Sequence, residues 1–264
     1  MSLLSSYNNM KENSSQPIKD DTQSVLITLF VACYNEEARI VPTLETIHKA
    51  YVKLGCSYEV IIIDDCSTDQ SNLRVKEYLS LNPDFPAQLY KNKVNLGLAR
   101  SYVETAFRGR GKYYRLVCGD NPEGIETMIL LNTQIGKADI IAPYYEQLPG
   151  KSFPRVMISK LFTAIVNFIT GNKIYYYNGC GIYRRYDVMR WAPHSFGFGF
   201  QADLMTRLLD ENRTVHQIPV QANHVDKEAQ NSALNLRNFL SVTHSLLEIL
   251  IRRIRAALYT KKSN

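Results

Sequence analysis

Three places in this 264-residue sequence set acidic or polar side chains where chemistry is possible. In YRLVCGDNPEG (114–124) the apolar run Leu116–Val117–Cys118 stops at Gly119, and Asp120, Asn121 and Pro122 follow. A strand that ends by presenting one carboxylate holds a metal ion or a diphosphate, or it simply turns. The residues alone leave both readings open. In IIIDDCSTDQS (61–71) one carboxylate of Asp64–Asp65 can accept a hydrogen bond from a nucleobase N–H. The alternative there is a helix start, with Ser67 or Thr68 as cap and Asp69 opening the first turn. The third place is Tyr34–Asn35–Glu36, directly after the apolar run VLITLFVA (25–32). GxGxxG and GxxxxGK[ST] are both absent, which disfavours a Rossmann dehydrogenase and a P-loop kinase.

These residues need a frame to bring them together, and the hydrophobic rhythm predicts one. VLITLFVA (25–32), YEVIIID (58–64), AQLYKN (87–92), YYRLVC (113–118) and ADIIAPYY (138–145) read as strands. Helical patterns lie between them: one from about Val41 with Pro42 in its first turn, then 71–81, 96–110 and 126–136. Strands alternating with helices of this length form βαβ units and a parallel sheet buried on both faces. Ligands of such sheets sit beyond the C-terminal strand ends, where the three polar clusters fall. The second half predicts helices over 155–171, 201–212 and about 235–258, and a short strand over 215–221.

With 45% hydrophobic residues the chain can bury a large core. Its net charge of +6 suits an anionic partner, or is ordinary surface charge. The five cysteines are scattered, without zinc or CxxC spacing, and read as reduced, small apolar residues, which leads us to expect a cytoplasmic protein. Residues 1–23 are polar, with no signal peptide visible, and are expected to form a disordered tail. No apolar run approaches the ~20 residues of a membrane span, so any membrane contact is expected to be peripheral or through a membrane-protein partner. The last helix carries Leu246, Leu247, Leu250, Ile251 and Ile254 beside Arg252, Arg253 and Arg255. Such a helix lies on an anionic membrane, or packs on the core with its cations at the C-terminal dipole.

In order along the chain, VACYNEEARI, IIIDDCSTDQS, NLGLARS (95–101) and VCGDNP resemble the motifs of a family 2 glycosyltransferase. The resemblance covers about residues 25–245 and implies a GT-A fold, with a mostly parallel α/β sheet flanked by helices. It divides 24–235 into a nucleotide-binding half (24–145) and an acceptor half (146–235), followed by a basic amphipathic helix and tail (236–264). It implies a nucleotide-sugar donor, a UDP- or GDP-sugar, and a divalent metal, Mg²⁺ or Mn²⁺. By position, Ala32, Tyr34 and Glu36 would line base and ribose, and Asp65 would meet the base edge. Gly97 of NLGLARS would join the donor site. Asp120 would be the metal ligand that survives from an Asp-x-Asp pair, with Cys118 in the place of the first acid. A thiol is a poor ligand for Mg²⁺, so the metal would depend on diphosphate oxygens and water.

Within the family the second half is most similar to polyprenyl- and dolichyl-phosphate sugar transferases. FPRVMISK places Arg155 and Ser159, NGCGIYRRYDV places Arg184, and GFGFQADLM places Asp203. A phosphate acceptor is already ionised and needs cations, which Arg155, Arg184 and Lys227 would supply. A hydroxyl of a glycan or glycolipid needs a base, for which Asp203 is the candidate, unless it is a helix N-terminal acid. The chain departs from that branch at PYYEQ, where an Arg is usual, and at KEAQNSALNLRN, which keeps Ser232 but lacks the Gly and Lys around it. Arg237 lies further on. The five histidines form no ligand spacing, and His224 alone is expected near the diphosphate. The resulting expectation is an inverting, metal-dependent transfer of a sugar to a polyprenyl phosphate at the cytoplasmic membrane face. Transfer to a hydroxyl, or a catalytically weak nucleotide-sugar-binding partner protein, are the alternatives. No nucleic acid is expected as a partner.

Overall fold

The structure is a computed structural model that describes residues 24–120, 123–146, 153–191, 199–221 and 236–260. Its strands are β1 (Ile27–Cys33), β2 (Tyr58–Asp64), β3 (Ala87–Lys91), β4 (Tyr113–Cys118), β5 (Ile140–Tyr145), β6 (Ile182–Arg184) and β7 (Val215–Val220). Its helices are α1 (Ile40–Leu54), α2 (Ser71–Leu81), α3 (Leu98–Arg108) and α4 (Ile125–Asn132) in the first half. The second half holds α5 (Phe153–Thr170), α6 (Arg185–Met189), α7 (Phe200–Asp210) and α8 (Leu236–Thr260). The predicted elements match these within a few residues. The short helix α6, which follows β6 directly, has no counterpart among them.

The strands form one sheet in the order β3-β2-β1-β4-β6-β5-β7, and β6 alone runs antiparallel to its neighbours. The strands of the second half, β6 and β7, thus complete the same sheet as those of the first. The run ITLFVAC needs apolar residues at every position because both faces of β1 are covered. Ile27, Leu29 and Val31 enter the core with Leu44, Ile47 and Tyr51 of α1. Phe30 enters the opposite layer with Tyr102 and Ala106 of α3.

Polar links close the N-terminal end of the sheet. The buried Glu59 accepts from Thr28 Oγ1 at 2.6 Å and from the Arg110 side chain at 3.0 Å. Burial opposes its charge, but the Arg110 backbone N–H, Thr28 and the Arg110 guanidinium together hold the carboxyl below its usual range. Gly111 permits this closure, because a Cβ there would lie 2.3 Å from the Thr28 nitrogen.

The last helix packs on the core through Leu246 and Ile249 and draws two of its arginines inward. Arg252 turns inward, its Nη1 2.8 Å from Asp203 Oδ1 and its Nε 3.3 Å from Asp210 Oδ2. Arg253 pairs with Asp210 at 2.7 Å and donates to the Thr170 carbonyl at 2.8 Å. Leu247, Leu250, Ile251, Ile254 and Leu258 are exposed. On α5, against which α8 packs, Phe153, Met157, Ile158, Leu161 and Phe168 are exposed as well.

Candidate active site at the strand ends

The chain crosses from one side of β1 to the other between β3 and β4, so the gap beyond β1 and β4 is the topological switch point of the sheet. Register brings the ends level: Ala32 pairs with Cys118 and Cys33 with Asp64. Gly119 N donates to the Ala32 carbonyl at 2.9 Å, and Thr43 Oγ1 of α1 donates to the Gly119 carbonyl at 2.9 Å. A Cβ at Gly119 would stand 2.6 Å from the Ala32 oxygen and 3.5 Å from Glu36 Cγ. Glycine therefore lets the β4 end close on β1, and this closure sets Asp120 beside Glu36.

The loops after β1 and β2 are fastened to each other. Asn35, at φ 56°, donates its N–H to Ser67 Oγ at 3.0 Å and accepts from Thr68 N at 2.9 Å. Glu36 N donates to Ser71 Oγ at 2.8 Å, Glu37 N to Asp69 Oδ2 at 3.1 Å, and Gln70 N to Glu37 Oε2 at 2.9 Å. Ser67 and Thr68, expected as helix caps, instead hold the β1 loop, and Asp69 takes the Ser71 N–H at 3.0 Å. Tyr34 stands half-exposed above this platform.

The two acids of the β2 end divide their work. Asp64 is fully buried and structural: it accepts from Ser67 N at 2.8 Å and Asn72 Nδ2 at 2.9 Å, with Lys91 at 3.7 Å. Asp65 Oδ1 accepts from Asn92 Nδ2 and Leu96 N, both at 2.8 Å, and Oδ2 from Gly97 N at 2.9 Å. Three of its roughly four acceptor directions are thus taken by the loop ahead of α3. Gly97, at φ 81°, has the left-handed backbone that favours glycine, and its N–H bonds Asp65.

Around Asp120 the carboxylates crowd. Burial, then the Asp120 charge, raises the Glu36 carboxyl to about 7, with Asp69 adding and Arg39 opposing. Two carboxyl groups converging in a partly desolvated site are the oxygen donors that a hard divalent cation fits. Among the described residues no group of three or more His, Cys, Asp or Glu converges. Protein ligation alone is therefore thin, as the single surviving acid implies.

Behind Asp120 lies a cluster the sequence reading did not anticipate. Cys118 Sγ is 3.9 Å from Cys180 Sγ, in the loop ahead of β6. Arg115, in mid-strand and wholly buried, pairs with Glu123 and donates Nε to the Cys180 carbonyl at 3.1 Å. An arginine inside YYRLVC was the available signal, since a charge there requires a buried partner. Tyr145 and Tyr176 meet edge to face at 5.7 Å. Burial, then Cys180, raises the Tyr176 hydroxyl to about 12, with the Arg155 charge and the Ser159 hydroxyl pulling the other way. Arg155 and Ser159, one turn apart on α5, are thus brought to the same end of the sheet as Asp120.

Two expected catalytic residues are engaged in structural pairs. Arg184 pairs across the sheet with Tyr113, the first residue of β4, and binds Asp139 at 2.8 Å. It stands at the N-terminal end of the parallel strands, opposite the site, because β6 is antiparallel. Asp203 is buried, and its oxygens accept from Trp191 Nε1 and Arg207 Nε, both at 3.0 Å, and Arg252 Nη1 at 2.8 Å. It locks α7 to α8. Lys227, His194, His224 and Ser232 lie outside the described residues, as do Asn121 and Pro122.

The sheet, its switch point and the placement of acids at the strand ends define the GT-A class of nucleotide-sugar transferase folds. The chain belongs to glycosyl transferase family 2, whose family model matches residues 28–190, more than half of its length. It is 25% identical over 177 residues to a dodecaprenyl-phosphate galacturonate synthase of Rhizobium johnstonii, covering 65% of this chain and 52% of that protein. It is 31% identical over 107 residues to a dolichyl-phosphate beta-glucosyltransferase of Dictyostelium discoideum, covering 39% of this chain and 33% of that one. It thus spans about half and a third of the length of these relatives. Its fold is similar to glucosyl-3-phosphoglycerate synthase of Mycobacterium tuberculosis, crystallised with Mn²⁺, UDP and phosphoglyceric acid. The TM-score is 0.63 at 15% identity, covering 87% of this chain and 78% of that one. The same protein with Mg²⁺ and UDP superposes with a TM-score of 0.62 at 16% identity, covering 87% and 79%.

Proposed function

We propose that this chain transfers a sugar, with inversion, from a UDP- or GDP-sugar to a polyprenyl phosphate at the cytoplasmic face of a membrane. The observation that carries the donor half is the convergence of Glu36 and Asp120 beyond β1 and β4, beside the platform of Tyr34 and the Asp65–Gly97 loop. Base and ribose lie on that platform, along Ala32 and Tyr34. Asp120, with Glu36 beside it, holds a divalent cation together with the donor diphosphate. Bound there, Mg²⁺ or Mn²⁺ supplies positive charge to the leaving diphosphate.

The acceptor half rests on two features. Asp203, the base that a hydroxyl acceptor needs, has its oxygens taken by Trp191, Arg207 and Arg252. A phosphate is already nucleophilic at neutral pH and needs orientation and positive charge, which Arg155 with Ser159 supplies beside Tyr176. The outward apolar faces of α5 and α8, with Lys160 and Arg255 exposed among them, fit an anionic lipid surface. Among the described residues no helix is long and apolar enough to cross a membrane. The curated relatives are named for lipid-phosphate chemistry of this kind.

Titrating UDP- and GDP-sugars with and without Mn²⁺, then following transfer to a soluble polyprenyl phosphate analogue and to a sugar hydroxyl, tests the proposal. Metal-dependent donor affinity and transfer to the phosphate are expected. Asp120→Asn abolishes the metal dependence; unchanged metal-dependent affinity in that variant overturns the assignment. Cys118 in the place of an acid favours a second reading, a nucleotide-sugar-binding partner protein, which metal-independent binding without turnover would establish.

A further inference from the structure

We propose that Cys118 and Cys180 form a reversible disulfide, an oxidative modification site behind the donor site that weakens nucleoside-diphosphate binding when closed. The bridge itself rests on geometry, and its consequence rests on the donor site proposed above. The two sulfurs are 3.9 Å apart, and a disulfide requires an approach to about 2 Å, which side-chain rotation together with a shift of the β4 end toward the β6 loop supplies. Both cysteines are partly accessible.

The backbone holds Cys180 in place for this. Gly181 N donates to the Gly179 carbonyl at 2.8 Å, closing a three-residue turn with Cys180 at its centre. Both flanking glycines lie directly on β5: a Cβ on Gly179 would be 2.4 Å from the Pro143 oxygen, and one on Gly181 2.8 Å from the Ile141 oxygen. Arg115 fixes the Cys180 carbonyl from the other side at 3.1 Å. Cys118 is the last residue of β4, two positions before Asp120. The other cysteines, Cys33, Cys56 and Cys66, are free as well, and each belongs to the chain around β1 and β2.

Cys180, partly accessible in the loop ahead of β6, meets the oxidant. A hydroperoxide transfers one oxygen to the Cys180 sulfur, its O–O bond breaks, and it leaves as the alcohol, or as water from hydrogen peroxide. The Cys118 sulfur then attacks the sulfenic sulfur. The S–S bond forms, the S–O bond breaks, and the hydroxyl leaves as water with the Cys118 proton. A dithiol reductant returns both thiols by exchange. Closure draws the β4 end toward the β6 loop and away from its seat on β1. Displacement of a ligand-bearing segment by about 1 Å costs roughly tenfold to a hundredfold at a site that depends on placement.

The full chain is oxidised with hydrogen peroxide and digested without reduction, and the peptides are weighed. A Cys118–Cys180 cross-linked peptide two hydrogens lighter than the two thiols is expected, reverted by dithiothreitol. Its absence while Cys66 is oxidised overturns the proposal. Mn²⁺-dependent UDP and GDP affinity is measured on the same samples. A loss of about tenfold or more, restored by reductant, is expected; unchanged affinity in the bridged protein overturns the claimed consequence. Cys180→Ser binds the nucleotide as the reduced protein does and is insensitive to peroxide; equal loss in that variant also overturns it. A reduced chain that binds neither nucleotide refutes the donor-site reading, whereas the cross-linked peptide decides the bridge independently.

Discussion

Replacing Asp203 by Asn separates the role its motif implies from the role its surroundings impose. The two side chains have the same size, so packing is preserved. The carboxylate accepts from Trp191 Nε1, Arg207 Nε and Arg252 Nη1, all within 3.0 Å. An amide removes the negative charge and turns an NH₂ toward donors. Burial already pulls the Arg252 guanidinium below its usual range, with Asp203 the largest opposing influence. Breaking a buried pair by removing one partner costs about 3–5 kcal/mol. Arg252 keeps Asp210 at 3.3 Å and the Arg207 side chain is 31% exposed, so the lower end, about 3 kcal/mol, applies. At roughly 2–4 °C per kcal/mol for a chain of this size, the melting temperature falls by about 6–12 °C. Thermal unfolding with a denaturant titration checks this, with an unchanged m-value expected. Transfer activity per folded molecule stays within a few-fold. A variant as stable as the parent that has lost transfer to every acceptor would refute the structural role and restore Asp203 as the base.

Asp120→Asn and Glu36→Gln should both lower Mn²⁺-dependent nucleotide affinity by tenfold or more, measured by calorimetry, with metal-free affinity little changed. The Glu36 carboxyl is raised from 4.5 to about 7, so the metal-free folded state holds a proton that the unfolded chain has released. Stability therefore falls as pH rises from about 4.5 to about 7, and Glu36→Gln flattens that slope in pH-dependent melting curves. Glu59 is shifted the other way: its contribution is present above the unfolded value and is lost as pH falls through its depressed folded value, so Glu59→Gln reduces acid sensitivity. Gly119→Ala places a methyl 2.6 Å from the Ala32 oxygen and should weaken donor binding more than overall stability. Leu250→Glu with Ile254→Glu, at positions 39% and 50% exposed, should abolish sedimentation with anionic vesicles while changing the melting temperature by only a few degrees.

The element order was legible because buried parallel strands such as ITLFVAC and YEVIIID must be apolar throughout, and the intervening helices carry the 3.6 period. The first-half site was legible for a related reason. In a parallel sheet the residue after each strand falls on the ligand side, so Tyr34, Glu36, Asp65 and Asp120 could be placed by position alone. Arg184 was assigned through the resemblance instead, and it emerges at the far end beside Asp139, because β6 runs antiparallel. Strand direction comes from pairing between distant segments, and three residues carry no mark of it.

The sequence by itself determined the α/β sheet, the family and the acids at the strand ends, because hydrophobic period and short motifs are local properties. Tertiary structure alone decided which charges remain available. It consumed Asp203 in holding two helices together, and turned Arg252 and Arg253 inward with Leu247, Leu250 and Leu258 outward. It also brought Cys118 against Cys180 across 62 residues of chain. Each of these outcomes depends on what a partner far along the chain places opposite a side chain, since desolvation and pairing set the energy of a charge or a thiol, and neither is written in the residues beside it.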